Sequence, residues 1–330
     1  MKLLILATFL ASVGSAHAAD KPNILWIFAE DTSPWMGCYG DEVNAGQTPN
    51  IDSIAARGVR FARAYVPAPV CSACRSALMG GQNQIRFGAH EHRSSRAPDA
   101  QLSLPDGMKL LPQIMQEGGY FTANLGKTDY NFVWNQDDTY TAKPKLKGHT
   151  NSWNALKENQ PFFVQMQTRG GKSPTIKFPA RRKTDPASVT VPADYPDNEI
   201  YRQTVAQHYD AIRTDDDHIG KILEGLKAAG LEENTIVVYF SDHGANHLVR
   251  HKQMPTEGGL HVPFVVMGPE AFVSDTGVRN DLVSMLDLSA TTLAWASLEQ
   301  PSWYEGRNLF AEDFQPRVFV ASAKDSLDHT

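Results

Sequence analysis

Short apolar runs alternate along the chain with stretches that have the spacing of amphipathic helices. Continuous runs of this length are typical of strands buried on both faces of a sheet. The predicted strands are 24–28, 59–66, 120–125, 162–164, 236–240, 262–266 and 318–321. The predicted helices are 48–58, 70–80, 110–116, 199–229 and 282–295. Helices between buried strands indicate an α/β fold whose central sheet is mainly parallel and covered on both faces.

The helix predicted at 199–229 is the longest in the chain. Its apolar residues recur at spacings of three, four or seven, which gives one buried stripe. The stripe consists of Val205, Tyr209, Ile212, Ile219, Leu223 and Leu226. Asp215, Asp216 and Asp217 interrupt this pattern, and we interpret them as part of a solvated face.

Polar side chains that could act in catalysis or ligand binding follow four of the predicted strands. In a mainly parallel sheet such residues collect at one edge, where the carboxyl ends of the strands meet. The residues in question are Glu30, Asp31, Cys71, Lys127, Asp129, Asp242, His243 and Lys252. Each has an ordinary reading taken alone, as a surface acid, a helix cap or a loop residue. Their common position at the ends of strands favours a shared site.

This set combines ligands for a cation with ligands for an anion. Glu30, Asp31 and Asp242 offer hard carboxylate oxygens, which suit Ca²⁺ or Mg²⁺. His243 adds a nitrogen ligand that Mn²⁺ tolerates better than Ca²⁺ does. Lys127 and the later Lys252 are flexible cations that can reach an anionic group. A divalent ion and two lysines together suit a tetrahedral oxyanion such as sulfate or phosphate.

Cys71 stands at the start of the helix that follows Pro69, with Arg75 one turn later on the same face. A helix start favours negative charge by roughly 0.3–1 kcal/mol and offers free N–H groups to an anion. Arg75 adds a planar fork for an oxyanion or a carboxylate. From these residues, Cys71 could form a redox pair with Cys74, bind a metal, pack as a small apolar residue or be the precursor of a nucleophile.

A set of ordered motifs gives the chain a resemblance to a known family. "CSACR" at 71–75 resembles the sulfatase signature, cysteine-x-proline-x-arginine, with alanine in the third place. The segments "PNILWIFAEDTSPWMGCYG" and "GKTDYN" resemble the family's first metal-binding strand and its glycine-lysine segment. "NTIVVYFSDHG", "HLVRHK" and "EGGLHVPFVVMGP" resemble the later metal pair, the second lysine and the strand after it. The resemblance extends from about Pro22 to Ala321.

The resemblance implies an alkaline-phosphatase-like fold and a catalytic residue made after translation. A maturation enzyme would convert Cys71 to formylglycine, whose hydrate attacks sulfur and then expels sulfate. An unmodified thiol would form a thiosulfate-type adduct, which has no second hydroxyl group with which to expel sulfate.

The resemblance also implies roles for individual residues. The implied metal ligands, for Ca²⁺ or else Mg²⁺ or Mn²⁺, are Glu30, Asp31, Cys71, Asp242 and His243. The implied catalytic residues are Cys71, Arg75, Lys127, Lys252, Asp129 and His92. The implied substrate-binding residues are Lys127, Lys252, His90, His92, Arg93 and His261.

Four positions depart from the family pattern. Glu30 replaces the usual aspartate, and Asp129 replaces an expected histidine. Cys74 occupies a place usually held by serine, so that a disulfide with Cys71 could compete with conversion. Arg169 and Lys172 stand where a histidine normally assists the leaving group. His90 and His92 could supply this proton chemistry, or they are ordinary loop histidines.

Composition and the termini limit where the protein works. Three cysteines are an odd number for an exported protein and do not indicate a disulfide framework. A formal net charge of −6 without a long basic run argues against nucleic acid as a partner. Residues 1–18 read as a signal peptide, which predicts export to the periplasm or secretion and no membrane span in the mature chain. We then expect residues 19–330 to form the catalytic domain, with the family's small C-terminal subdomain largely absent from them.

We therefore expect an exported sulfuric ester hydrolase that removes O-sulfate or N-sulfate groups from sulfated carbohydrates. One alternative is a phosphomonoester or phosphonate-ester hydrolase of the same superfamily. A second is a truncated, non-catalytic protein that binds sulfated glycans. A third, a thiol-disulfide oxidoreductase using Cys71 and Cys74, leaves the acids and lysines unexplained.

Overall fold

The computed structural model describes residues 21–93, 97, 100–142, 148–149, 151–172 and 178–320. The predicted signal peptide lies outside these residues. Within them, no helix combines the length and the apolar character needed to cross a bilayer.

The described strands form one mixed sheet in the order β3-β4-β1-β5-β6-β2-β7. The strands are β1 (Asn23–Ala29), β2 (Val59–Tyr65), β3 (Phe121–Leu125), β4 (Phe162–Gln167), β5 (Thr235–Ser241), β6 (Phe264–Met267) and β7 (Gly277–Ser284). β6 runs antiparallel to both of its neighbours, and the other pairings are parallel. The expected mainly parallel sheet is therefore confirmed, with one reversed strand inside it.

Helices cover both faces of this sheet. They are α1 (Pro49–Arg57), α2 (Cys71–Gly80), α3 (Leu111–Glu117), α4 (Gln136–Thr139), α5 (Trp153–Glu158), α6 (Glu199–Ala228), α7 (Glu257–Leu260) and α8 (Leu286–Trp295). Alternate residues of β1 explain the layering, because Trp26 packs into the core beneath α2, α3 and α8 while Ile27 packs into the core beneath α1, α5 and α6.

The sequence pattern mispredicted the last strand of the sheet. The edge strand is β7, whose residues are largely polar and exposed or half-exposed and therefore form no apolar run. The strand predicted at 318–321 is wrong over its described part, because Val318 and Phe319 are exposed and irregular. The helix predicted at 282–295 starts only at Leu286, since its first residues belong to β7.

The interpretation of the aspartate run in α6 as a solvated face is also wrong for two of its members. Asp216 is fully buried and accepts hydrogen bonds from the backbone N–H groups of Asn50 and Ile51 at the start of α1. Asp215 is buried as well and accepts from the Thr168 hydroxyl at 2.7 Å. These carboxylates fasten α6 to its neighbours instead of facing water.

The fold brings the candidate residues to one edge of the sheet. β1, β2, β3 and β5 run in the same direction, so their carboxyl ends lie along the same side. α2 begins six residues after β2 and therefore presents its first turn at this edge. The reversed β6 places its amino end there, which brings His261 beside Tyr65 at the end of β2.

Candidate active site

Cys71 lies at the first position of α2 with 2% of its surface exposed. Its Sγ is 3.1 Å from His243 Nε2, and it also has a side-chain hydrogen bond with His92. Burial and the charge of Asp242 raise the pKa of the thiol. His243 and the two hydrogen bonds oppose them and lower the pKa to about 6. The site therefore favours an anionic atom at position 71.

Asp31 joins the end of β1 to the loop after β5. Its Oδ1 accepts from Lys252 Nζ at 3.1 Å and lies 3.0 Å from His243 Nε2. Its backbone N–H donates to Asp242 Oδ1 at 3.0 Å. Burial opposes ionisation, but His243 and Lys252 hold the pKa of Asp31 well below its usual range. Its φ of 53° is rare for a residue with a side chain and persists only where surrounding contacts enforce it.

Arg75 is the buried cation beneath this centre. Its Nε and Nη2 both donate to Asp242 Oδ2, at 3.1 and 2.9 Å, and its Nη1 donates to Gln167 Oε1 at 2.6 Å. The guanidinium also lies 4.1 Å from the centroid of the Phe28 ring. Because burying a charge without a partner is costly, this paired arrangement holds Asp242 in one position.

Two lysines converge on Glu30 at the outer rim of the centre. Lys127 Nζ and Lys172 Nζ donate to Glu30 Oε2 at 2.9 and 3.0 Å. Lys127 follows Gly126, whose φ of 139° and close packing against Gln167 leave no room for a side chain. Lys127 also lies 3.4 Å from Asp129, which is 2.8 Å from Arg93 Nε. Asp129 thus pairs with two cations where the family pattern has a histidine.

One observation that does not depend on sequence motifs indicates that the described residues suit a divalent cation. Asp31 Oδ2 is buried and has no hydrogen-bond partner among the described residues, as expected for an oxygen that faces an ion. Two overlapping groups have ligand atoms within 4.8 Å of one another. They are Asp31, Cys71 and His243, and Glu30, Cys71 and Asp242. The predominance of carboxylate oxygen favours Ca²⁺ or Mg²⁺.

Most of the residues that the sequence proposed as site residues meet in this region. The residues connected by these contacts are Glu30, Asp31, Cys71, Arg75, His92, Arg93, Lys127, Asp129, Asp242, His243 and Lys252. His261 lies at the same edge, but its ring bonds to the Ala62 carbonyl and to Glu257. His90 is half-buried, and no contact with another described residue places it at the centre. For these two, a substrate role stays a prediction.

Sequence reasoning missed Gln167 and gave no role to Lys172. Gln167 ends β4 and holds Arg75, but a glutamine at the end of an apolar strand carries no chemical signal of its own. Lys172 lies on a loop whose turn closes on β1 through a hydrogen bond from the Gly171 N–H to the Glu30 carbonyl at 2.9 Å. Only this loop packing shows that Lys172 reaches Glu30.

Cys74 is not paired with Cys71. Both thiols are free, and Cys74 packs in the hydrophobic core, where burial raises its pKa well above the usual value. A resolving cysteine needs an accessible thiolate, so the environment of Cys74 does not support thiol-disulfide exchange.

The chain matches a known protein family and several of its members in sequence. The sequence profile of the Sulfatase family matches residues 22–155 and 149–298. The ulvan-active sulfatase of Formosa agariphila is 23% identical over 94% of this chain and 58% of its own length. The N-acetylgalactosamine-6-sulfatase of Homo sapiens is 28% identical over 93% of this chain and 68% of its own length. The chain thus spans less than two thirds of the first of these relatives.

Solved structures share the fold at low identity. The phosphonate monoester hydrolase of Silicibacter pomeroyi superposes with a TM-score of 0.67 and 18% identity, covering 89% of this chain and 78% of its own. Sulfatase structures match in the same way, so the architecture is the alkaline-phosphatase-like one that the sequence predicted. Since the profile covers most of the described chain, the protein belongs to the sulfatase family.

Proposed function

We propose that this protein hydrolyses sulfate esters, or sulfamates, on sulfated carbohydrates. The observation that carries the proposal is the meeting of position 71 with carboxylates, an imidazole and lysines around one buried point. Cys71 Sγ lies 3.1 Å from His243 Nε2, and Asp31 links the same imidazole to Lys252. The names of the relatives, which refer to ulvan and to N-acetylgalactosamine 6-sulfate, support a sulfated glycan as the substrate class.

Two groups would complete the site. Glu30, Asp31, Asp242 and His243, with position 71, would hold a divalent cation, which supplies positive charge opposite the developing charge on the sulfuryl oxygens. Conversion of Cys71 to formylglycine supplies two hydroxyls on one carbon when hydrated, one to accept the sulfuryl group and one to expel it.

The remaining residues position the ester and stabilise its charge. Lys127 and Lys252 pair with different carboxylates, Glu30 and Asp31, and each ammonium group can move from its carboxylate to a sulfate oxygen. Arg75 fixes Asp242, so that the ligands stay in place while the substrate changes charge. Burial of Asp31 and Asp242 excludes water and strengthens these interactions.

The leaving alcohol needs a proton donor, because the usual histidine is replaced. Lys172 has a half-exposed side chain beside Lys127 and can donate from its ammonium group. His92 has a hydrogen bond with Cys71 and is a second candidate from the other side. We assign the donation to Lys172, because it occupies the loop position where the family pattern has its histidine.

The test has two parts: an activity assay after substitution of Cys71, and mass spectrometry of the peptide that contains position 71. Cys71→Ala should abolish sulfate release from sulfated N-acetylgalactosamine and from an aryl sulfate, because the other two cysteines lie in the core or beside α1 and not at the centre. Cys38→Ala, which removes a thiol beside α1, is the matched control and should retain turnover. Peptide mass spectrometry over 66–75 should show the aldehyde in the active protein. Retained turnover in Cys71→Ala would refute the proposal.

A phosphomonoester or phosphonate-ester hydrolase is the second candidate. Lys172 adds a third ammonium group beside Lys127 and Lys252, and the extra positive charge suits a dianionic phosphate. Rates on matched aryl sulfate and aryl phosphate esters separate the two activities. A preference for phosphate would establish the second.

The cellular context belongs to the same proposal. We infer export to the periplasm or medium by residues 1–18, a single catalytic domain in the remaining chain, and a maturation enzyme as a transient partner. If position 71 stays an unmodified cysteine in the native protein and sulfated glycans still bind saturably, the protein is a binder and not an enzyme.

A further inference from the structure

A cavity of about 880 Å³ opens beside the candidate centre. Glu30, Lys127 and Lys172 form its inner end, and the loop after β4 and one side of α6 form its walls. Its volume is in the range of small-ligand sites. We call the cationic part of this cavity, formed by Arg169, Lys172, Arg181 and Lys221, the basic cleft.

The cations of the basic cleft differ in whether they already have partners. Lys172 is paired with Glu30, and Arg181 donates to Asp217 at 2.9 Å. Arg169 and Lys221 are exposed, and neither side chain has an ion pair or hydrogen bond with another described residue. These two cations therefore remain available to an anionic ligand.

The loop that carries Arg169 is held firmly. Asp215 accepts from the Thr168 hydroxyl and from the backbone N–H groups of Arg169 and Gly170. Gly170, with a φ of 54°, packs directly on the Glu30 backbone, where a side chain would not fit. Arg169 is thus presented from a fixed turn whose other side supports the candidate metal ligand Glu30.

The charge along the cleft is ordered. α6 leads into β5, so its carboxyl end lies away from the catalytic edge of the sheet. Lys221 lies about 9 Å beyond Asp215 along the helix axis, and the acidic Glu224 lies about 4.5 Å beyond Lys221. Arg169 follows the carboxyl end of β4 by two residues and so lies at the catalytic edge, whereas the acidic Glu224 lies farther along α6 toward the opposite edge.

We propose that the basic cleft binds a second anionic group of the substrate, a sulfate on the sugar residue next to the one being hydrolysed. This proposal rests on the proposed function, because the cleft begins at residues assigned to the reaction. It makes Arg169 the main determinant of a preference for multiply sulfated chains, with Lys221 as a weaker, outer contact.

The kinetic experiment compares two substrates on the mature enzyme. One is a disaccharide with a single hydrolysable sulfate, and the other has a second sulfate on the neighbouring sugar. In Arg169→Ala the ratio of the two KM values should shift about tenfold against the doubly sulfated substrate, as for loss of a charge-assisted hydrogen bond. Lys221→Ala should shift it about threefold. Lys227→Ala, which removes the same charge from α6 outside the cavity, should leave the ratio unchanged.

A binding experiment separates failure of the cleft from failure of the proposed function. A fully sulfated heparin tetrasaccharide is titrated by calorimetry into Cys71→Ala and into the Cys71→Ala/Arg169→Ala double variant, with the desulfated tetrasaccharide as control. Weaker binding of only the sulfated probe by the double variant supports the cleft even if no turnover is found. Equal affinities, or an unchanged KM ratio in an active enzyme, would overturn the cleft proposal and leave the activity standing.

Discussion

The candidate site has two halves that differ in how they are built. The buried half lies on or directly after strands and at the start of α2, and it consists of Asp31, Cys71, Arg75, Asp242 and His243, each exposed by 2% or less. The lysine half consists of Lys127, Lys172 and Lys252, whose side chains are 25%, 46% and 17% exposed. The first half has fixed geometry, and the second has long side chains that water can reach.

This difference separates two tasks. Ligands for an ion must keep their positions, and they contact one another, as Asp31 contacts His243 through its carboxylate and Asp242 through its backbone N–H. Cations for a substrate must release one carboxylate and take up another oxyanion, which partial exposure permits. Changes in the buried half should therefore affect folding and ion binding, and changes in the lysine half should affect mainly turnover.

Among the residues around position 71, the largest effect is expected from Asp31→Asn. The amide removes a charge that faces both His243 and Lys252 and that we assign to the ion, so kcat/KM should fall by about 10³-fold or more. Sulfate release and bound Ca²⁺, measured by atomic emission, check this together. Asp106→Asn, in an exposed turn, is the control. Undiminished activity and ion content would remove Asp31 from the proposed ligand set.

Arg75→Ala should cost folding stability as well as activity. It leaves Asp242 buried without its partner, and breaking a buried ion pair in this way costs about 3–5 kcal/mol. Urea denaturation followed by fluorescence measures the free energy of unfolding. Arg57→Ala, which breaks the exposed pair with Glu232, should cost no more than about 1 kcal/mol. Equal losses of unfolding free energy in the two variants would show that the buried Arg75–Asp242 pair contributes no more to stability than an exposed pair does.

Lys252→Ala should lower kcat/KM by about 10²-fold, because the ammonium group acts on charge that develops during reaction, and its loss of stability should be smaller than that of Arg75→Ala, since Asp31 keeps His243 as a partner. Lys172→Ala should also lower kcat, and its defect should be smaller on an aryl sulfate with an acidic phenol, since that leaving group needs less protonation. The same series in Lys252→Ala should show no such recovery. If both variants respond alike to the leaving group, Lys172 is not the proton donor.

Salt should have the smallest effect and should act on one half only. At higher ionic strength the exposed lysines are screened, so KM should rise about two- to threefold between 0.05 and 0.5 M NaCl, while buried pairs are screened much less. Parallel thermal melts should show little change in Tm. A KM that does not depend on salt would mean that the lysine half is closed to solvent when substrate binds.

The buried half was largely predictable from the sequence, and the lysine half was predictable only in part. Runs such as those that became β1 and β5 are unambiguous, and the residues that follow them meet because parallel strands end together. No such rule places Lys172, which reaches Glu30 through a loop whose path depends on packing against β1. Asp129 stands out in the sequence only as a departure from the family pattern. Its pairing with Arg93 joins two segments that are distant in sequence, so no local pattern predicts it.

The aspartates of α6 show a second limit. Three adjacent acids favour solvent by composition, yet Asp215 and Asp216 are buried because backbone N–H groups of other segments point at them. Burial raises the pKa of both to about 6, against the effect of those hydrogen bonds. Backbone donors from distant segments leave no trace in the local sequence, so this role could not be inferred from periodicity.

The near-complete enclosure of Cys71 has a consequence for the life history of the protein. With 2% of its surface exposed, Cys71 can be reached by a small anionic group but cannot enter the active site of a second protein, so any enzyme that alters it must act while the polypeptide is still unfolded. Biogenesis would then have a fixed order, with chemistry on the nascent or unfolded chain before collapse. Molecules that fold before residue 71 is converted would keep their thiol. The active fraction of a preparation would then depend on the rate of conversion relative to the rate of folding.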